Sequence, residues 1–304
     1  MKLKNILRNV TAMALPLALL GSCTGDFEEL NTNPYEIDPE ELPFEAQFST
    51  PLSFSYPTHQ NLFQYWTSLS IDNYGGYFEV PHSNWTMARY DLARGFCGGM
   101  HENFMQKIFN NTRRLIKQCD AAGQHDFAAV ARIVEAYNLL QYTDTYGPVP
   151  YSSVLAADEL AERPSSYAYD KQEDIYMDFL SELRAASAQL DASAMAPQND
   201  LYFNGDIEKW RRFANSLWLR ISMRLLKVNP TLAQQEAKAA YEAGVMTSNS
   251  DICYVAHESS RLDEGPGNGF ANQMLEDPTY SNYRMTNELL EALTSTNDPR
   301  TLYI

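Results

Sequence analysis

Asp206–Leu226, DIEKWRRFANSLWLRISMRLL, is the stretch whose reading decides the fold. Gly205 interrupts whatever precedes it, and the Asp206 carboxylate can accept from the first free amides of a helix. Trp210, Phe213, Ala214, Leu217, Ile221 and Leu225 then recur at helical spacing and make one apolar stripe. Two indoles and a long stripe need partners, so the segment reads as a central packing helix, with Trp210 and Trp218 in the core. Lys209, Arg211, Arg212, Arg220 and Arg224 carry much of the chain's basic charge on this one helix. Arg220 and Arg224 lie one turn apart and are expected to meet carboxylates such as Asp144.

Helical spacing recurs on both sides of this segment. Leu62–Leu69, Phe104–Ile116 and Asp126–Tyr142 read as helices. The last carries Phe127, Val130, Ala131 and Val134 on one face and Ile133, Tyr137 and Leu140 on another, which predicts burial on two sides. Gly147-Pro148 ends it. Asp170 with Glu173 three residues on forms the pattern of a capping box for a helix packed through Ile175, Phe179, Leu183 and Leu190. Pro230–Gly244 is a further helix ended by glycine, and a last one begins near Met285. Ile71–Trp85, broken by Gly75, Gly76 and Pro81, reads as a long loop with a short hairpin. Asp251–Ala256 suits a short strand. The body is therefore all-α, built of helix pairs joined by uneven loops, in the manner of a tetratricopeptide-like solenoid without a strict repeat.

The N-terminus has a different character. Lys2, Lys4 and Arg8 precede the short apolar run Val10–Leu20, too short to span a bilayer and typical of a signal peptide. It ends Leu20-Gly21-Ser22-Cys23, which resembles the lipobox of bacterial lipoproteins, with Cys23 as the acylated residue. Residues 1–22 are thus expected to be removed. Residues 23–43, acidic and carrying Pro34, Pro39 and Pro43, read as an extended tether. The helical domain follows over 44–304.

Charge and chemistry narrow the function. The chain of 304 residues has a formal net charge of −16, with no Lys or Arg between Arg8 and Arg89. Such a field disfavours nucleic acid and anionic lipid headgroups. His59, His82, His101, His125 and His257 are scattered without metal-ligand spacing, and no metal-binding helix motif, P-loop or nucleophile elbow occurs. The GPGNG loop, Gly265–Gly269, lacks the helix-opening context of a phosphate cradle. No enzyme, metal or cofactor is indicated. Besides Cys23 the cysteines are Cys97, Cys119 and Cys253. Cys97 and Cys119 could bridge, or all three could stay as thiols.

Four stretches together resemble the SusD/RagB family of outer-membrane nutrient-binding lipoproteins. They are the lipobox with Phe27-Glu28-Glu29-Leu30-Asn31-Thr32-Asn33-Pro34, and Ala136-Tyr137 with Thr143–Tyr151. Phe203–Asp206 with Lys209-Trp210 and Phe213–Arg220 is the third; Tyr283-Arg284 with Asn297-Asp298-Pro299-Arg300 is the fourth. They occur in the family's order and span nearly the whole chain. Members are usually much longer, so a C-terminal portion is expected to be missing. The resemblance implies four tetratricopeptide-like helix pairs with long ligand-bearing loops, a lipid anchor in the outer membrane facing the cell exterior, and a SusC-like TonB-dependent transporter barrel as partner. It implies an oligosaccharide or polysaccharide as cargo, with peptides or another nutrient as the alternative; a purely structural lid on the barrel is a second alternative.

Sugars are held by flat aromatic faces against their C–H sides and by planar amides or carboxylates at their hydroxyls. The Asp72–Trp85 region offers both, through Asp72, Asn73, Tyr74, Tyr77, Phe78, Asn84 and Trp85, and later loops add Tyr254, Tyr280 and Tyr283. Trp85 and the tyrosines could equally pack beneath their loops. Tyr146 and Tyr151, flanking the Gly147-Pro148 corner, are assigned to structure.

Overall fold

The computed structural model describes residues 41–56, 62–79, 86–91, 94–157, 164–191, 200–256 and 284–302. In chain order they form α1 (Phe44–Phe54), a π-helical segment (Phe63–Ile71) running into one α-turn (Asp72–Gly75), β1 (Phe78–Glu79) and α2 (Arg94–Asn103). A second π-helical segment (Phe104–Phe109) leads into α3 (Asn110–Ala121), followed by α4 (His125–Tyr146), α5 (Ser152–Ala157) and α6 (Gln172–Gln189). After them come α7 (Ile207–Arg224), α8 (Pro230–Glu242), β2 (Arg284–Met285) and α9 (Asn287–Ser295).

The first segment to explain is α7. Asp206 caps it, its Oδ1 accepting from the Lys209 amide at 3.1 Å. The apolar stripe is buried: Trp210 and Ala214 are wholly inaccessible, and Phe213, Leu217, Ile221 and Leu225 lie in the same core. Ahead of it, Asn204 and Gly205 take left-handed backbone, φ 52° and 81°, which closes the turn that aims the helix. The buried Asp200 carboxylate organises that turn. It accepts from the amides of Tyr202 (2.9 Å), Phe203 (3.2 Å) and Gly205 (2.9 Å), and from the Trp210 indole at 2.7 Å. Around it, Tyr202 stacks on Trp210 with centroids 5.8 Å apart, and Phe203 meets the same indole edge-on at 5.1 Å.

Helices α3, α4, α6, α7 and α8 pack each on the next, the serial arrangement of a tetratricopeptide-like solenoid. The expected two-sided burial of α4 holds. Ala128, Ala129, Val130, Ala131, Ile133 and Leu139 are inaccessible, so α4 fits between α3 and α6. Several buried polar groups stitch the array through hydrogen bonds between helices. Glu135 of α4 accepts from Thr112 (2.7 Å) and Arg113 (3.2 Å) of α3, and burial pushes its carboxyl above the usual carboxylate range. Asn215 of α7 donates to the carbonyls of Ala243 and Gly244 (2.9 Å each) and accepts from Ser187 of α6 at 2.7 Å. Glu236 of α8 accepts from the Trp218 indole (2.8 Å) and from Arg184 of α6 (3.1 Å). Arg224 pairs with Asp144, as expected, and with the Tyr176 hydroxyl at 3.1 Å; Tyr176 in turn donates to Asp144 at 2.5 Å.

Three local expectations need correction. Asp170 and Glu173 form no capping box: Lys171 is the N-cap of α6 and provides no side-chain bond. The Asp170 amide instead donates to the Val149 carbonyl at 2.9 Å. That pairing turns its carboxylate onto the amides of Tyr151 (3.0 Å) and Ser152 (2.7 Å), so Asp170 serves the start of α5. Within Ile71–Trp85, Asp72–Gly75 is a helical turn instead of loop, and β1 pairs antiparallel with the distant β2. The Asp251–Ala256 stretch is no strand but a 3₁₀ turn, Asn249–Asp251, and irregular chain after it. The last helix, expected to begin near Met285, starts at Asn287 directly after β2.

Cys97, Cys119 and Cys253 are free thiols. Tyr146 and Tyr151 are structural, as assigned: the Tyr146 hydroxyl donates to the Cys97 carbonyl and the Tyr151 hydroxyl to Asp178 at 2.6 Å.

Replacing Asp200 by Ala strands a buried indole N–H and three amides. It is expected to destabilise the domain by about 3 kcal/mol or more in urea unfolding; a loss under 1 kcal/mol would mean that the turn holds itself. Asp170→Ala should cost about 1 kcal/mol in the same assay, whereas Glu173→Ala should cost almost nothing. Equal losses for the two would restore the capping box.

Candidate functional site

The expected ligand region begins where the first π-helical segment tightens into the Asp72–Gly75 turn. Gly76, at φ 68°, ends the turn. The Tyr77 amide reaches back to the Asp72 carbonyl at 2.9 Å and the Gly76 amide to the Asn73 carbonyl at 3.2 Å, a Schellman closure that needs the left-handed residue. Gly75 is glycine for a different reason. A Cβ there would lie 2.9 Å from the Tyr77 ring, so that ring rests against bare backbone.

This turn presents two tyrosines. Tyr74 is 42% exposed and Tyr77 52%, unusual values for large aromatics without a partner. Tyr74 does not stand alone: Tyr90 stacks on it, with ring centroids 5.5 Å apart and planes 21° from parallel. Tyr90 is 79% exposed and sits in left-handed backbone at φ 58°, a conformation a bulky residue adopts only when its surroundings impose it. The surroundings are the 3₁₀ turn Met87–Arg89. The Tyr90 amide bonds the Met87 carbonyl at 2.9 Å, the Thr86 hydroxyl donates to the Asp91 carbonyl at 3.1 Å, and buried Met87 plugs the turn into the protein.

Asn73 donates to the Ser68 carbonyl at 3.0 Å, and its Oδ1 is buried without a hydrogen-bond partner among the described residues. Burial, with Cys97 and Tyr90 nearby, pushes the Tyr74 phenol above its ordinary range. It therefore stays protonated across physiological pH, as a neutral donor and acceptor. Chemically, the corner is a paired aromatic face with hydroxyls at its rim. Its potential is to bind a flat, hydroxyl-bearing molecule.

Of the expected site residues, the structure brings together Asp72, Asn73, Tyr74 and Tyr77 on one turn. Asn84, Trp85, Tyr280 and Tyr283 lie outside the described residues, as does the lipidation residue Cys23. Tyr254 stands elsewhere, on an apolar cleft of about 640 Å³ with Tyr137, Tyr202, Phe213 and Arg220. A second cleft of about 870 Å³, between Asp144, Tyr176, Arg224 and Asn229, is also built from other residues. Sequence reasoning missed Tyr90. Its only signal was an aromatic directly after a short basic-ended turn, and nothing local indicated that it would stack on Tyr74.

With the fold and this corner described, comparison with known proteins is informative. The SusD-like family model, "Susd and RagB outer membrane lipoprotein", matches residues 29–303. Among solved structures, a Bacteroidetes SusD-like protein superposes with a TM-score of 0.75 at 28% identity, over 86% of this chain and 50% of its own. A chitin-binding SusD homologue from Flavobacterium johnsoniae gives 0.72 at 26% identity, over 84% and 53%. A SusD homologue from Bacteroides ovatus gives 0.70 at 26%, over 84% and 50%. The chain thus spans about half the length of these relatives. No curated protein sequence matches it. The family match takes in the whole helical array, and the chain belongs to the SusD-like family.

Proposed function

We propose that this protein is a non-catalytic, surface-exposed lipoprotein that captures an oligosaccharide or polysaccharide and passes it to a TonB-dependent outer-membrane transporter. The observation that carries the reading is the exposed Tyr74–Tyr90 stack, with exposed Tyr77 three residues after Tyr74, on a SusD-like scaffold. Aromatic side chains lose little conformational entropy on binding and offer a large face to a sugar ring. The chitin-binding relatives support a glycan as the ligand class. Asp72 and Asn73 belong to the same turn, and Asn84, Trp85, Tyr280 and Tyr283 complete the proposed ligand set. A net charge of −16 suits a neutral glycan better than an anionic one.

The anchor is Cys23. No helix among the described residues is long and apolar enough to cross a membrane, and the family is described as outer membrane lipoproteins. A SusC-like barrel is the proposed partner because a lipid-tethered binding protein cannot itself carry cargo across the outer membrane. Such a barrel should co-purify with the lipidated protein from detergent-solubilised outer membranes.

Calorimetry against chito-, malto-, xylo- and manno-oligosaccharides is expected to find at least one ligand. Tyr74→Ala and Tyr90→Ala should each weaken its binding by about 1 kcal/mol, roughly fivefold, with the melting temperature little changed. Binding to none of the four would overturn the glycan reading; full affinity in both variants would move the site elsewhere. Cys23→Ala should release the protein from the membrane fraction into the soluble one, and continued membrane association would refute the lipid anchor.

A further inference from the structure

The aromatic corner is tied down from the far end of the chain. Thr286 lies between β2 and α9, and two of its groups make three bonds at once. Its hydroxyl donates to the Gly76 carbonyl at 2.5 Å, and its amide donates to the Tyr77 carbonyl at 3.1 Å. The same oxygen accepts from the Leu289 amide at 3.3 Å and so caps α9. The adjoining ladder pairs Phe78 with Met285 and Glu79 with Arg284. The first turn of α9 approaches the same place: a Cβ on Gly76 would lie 4.0 Å from that of Glu288.

These contacts fall on the residues that aim the ring. Tyr77 has no side-chain hydrogen bond that fixes its direction among those described, and its ring lies against Gly75. Its orientation follows from the backbone at Gly76 and Tyr77. Gly76 is the left-handed closure of the turn that carries Tyr74, and glycine has the widest choice of alternative conformations. A single hydroxyl bonded to the Gly76 carbonyl limits that choice.

We propose that Thr286 is a positioning residue of the binding corner, holding the Gly76–Tyr77 backbone so that the Tyr77 ring keeps its place against Gly75, on the turn that carries Tyr74. The inference deepens the glycan-binding reading and rests on it for its affinity arm. An aromatic that must be ordered on binding costs affinity, and one ordered beforehand does not. Thr286 thereby couples α9 and the corner, so a disturbance at one should be felt at the other.

The full chain can test this with two substitutions at one position. Thr286→Asp keeps the acceptor that caps α9 but has no hydrogen to give Gly76; Thr286→Ser keeps both functions. The first readout needs no ligand: the ring signals of Tyr77 in a protein carrying ¹³C-labelled tyrosine, with amide exchange at Tyr77 and Phe78. Thr286→Asp should shift and broaden the Tyr77 signals and speed exchange there, while Thr286→Ser stays as wild type. The second readout is calorimetry with the oligosaccharide bound most tightly in the four-sugar panel, where Thr286→Asp should bind about tenfold more weakly and Thr286→Ser within about twofold. Unchanged Tyr77 signals in Thr286→Asp overturn the proposal, as does unchanged affinity. Equal losses in Thr286→Ser overturn it too, since that variant retains the donor. If wild type binds none of the sugars, the glycan reading fails by itself, and the ring signals still decide whether Thr286 sets Tyr77. Should Thr286→Asp unfold α9, Leu293→Ala provides the comparison: it removes the helix's buried anchor and leaves the Thr286 hydroxyl in place. Identical Tyr77 shifts in the two would count against a role for the hydroxyl.

Discussion

A buried carboxylate, Asp200, holds the turn from which the central helix departs. Burying an unpaired charge costs several kcal/mol, yet Asp200 receives three amides and one indole N–H, which offset that cost. The bonds have directional consequences. They fix Tyr202 and Phe203 on either side of Trp210, and the Tyr202 hydroxyl reaches the Leu52 carbonyl of α1 at 3.1 Å. From there α7 takes its course, with Asn215 and Trp218 meeting groups on α6 and α8 that could be satisfied in no other alignment.

Several buried polar residues of the resulting array bridge neighbouring helices. Glu135 joins α3 to α4, Asn138 of α4 reaches Ser55 at 2.7 Å beyond the end of α1, and Asn215 and Glu236 join α6, α7 and α8. Each is costly when half-satisfied and specific when satisfied. Small residues along α4 let its neighbours approach on both sides, so the hydrophobic contribution and the polar register reinforce each other.

The aromatic corner is built differently. It depends on short turns, a left-handed tyrosine and a two-residue strand pair, and it exposes rings that the array would bury. Little apolar burial stabilises it locally, so its order comes from hydrogen bonds to distant chain: Thr286 to Gly76 and Tyr77, and Met87 plugging the Tyr90 turn into the interior. Separation of a rigid support from a thinly supported face is what a binding protein requires. The support keeps its shape while loops on it change to suit a ligand.

Much of this molecule was legible in its residues. Helical periodicity identified α4, α6, α7 and α8, Asp206 marked the start of α7, and Trp210 and Trp218 were placed in the core, because amphipathic spacing is a local property that burial only realises. The Arg224–Asp144 pair was also anticipated, from a cation and a carboxylate that each needed a partner. What failed was local reasoning about groups whose partners lie far off in sequence. Asp170 satisfied the pattern of a cap yet serves α5, since pairing with Val149 turned it away. β1 found its partner more than two hundred residues later. On the candidate site, the chemistry of Tyr74 and Tyr77 was readable, but the stacking of Tyr90 on Tyr74 and the hold of Thr286 on the Gly76–Tyr77 backbone were not. Sequence by itself determined the helices, the core stripe and the family, because these depend on spacing along the chain. Only the tertiary structure decided which aromatics face solvent together and what steadies them, because those contacts join segments whose separation carries no periodic signal.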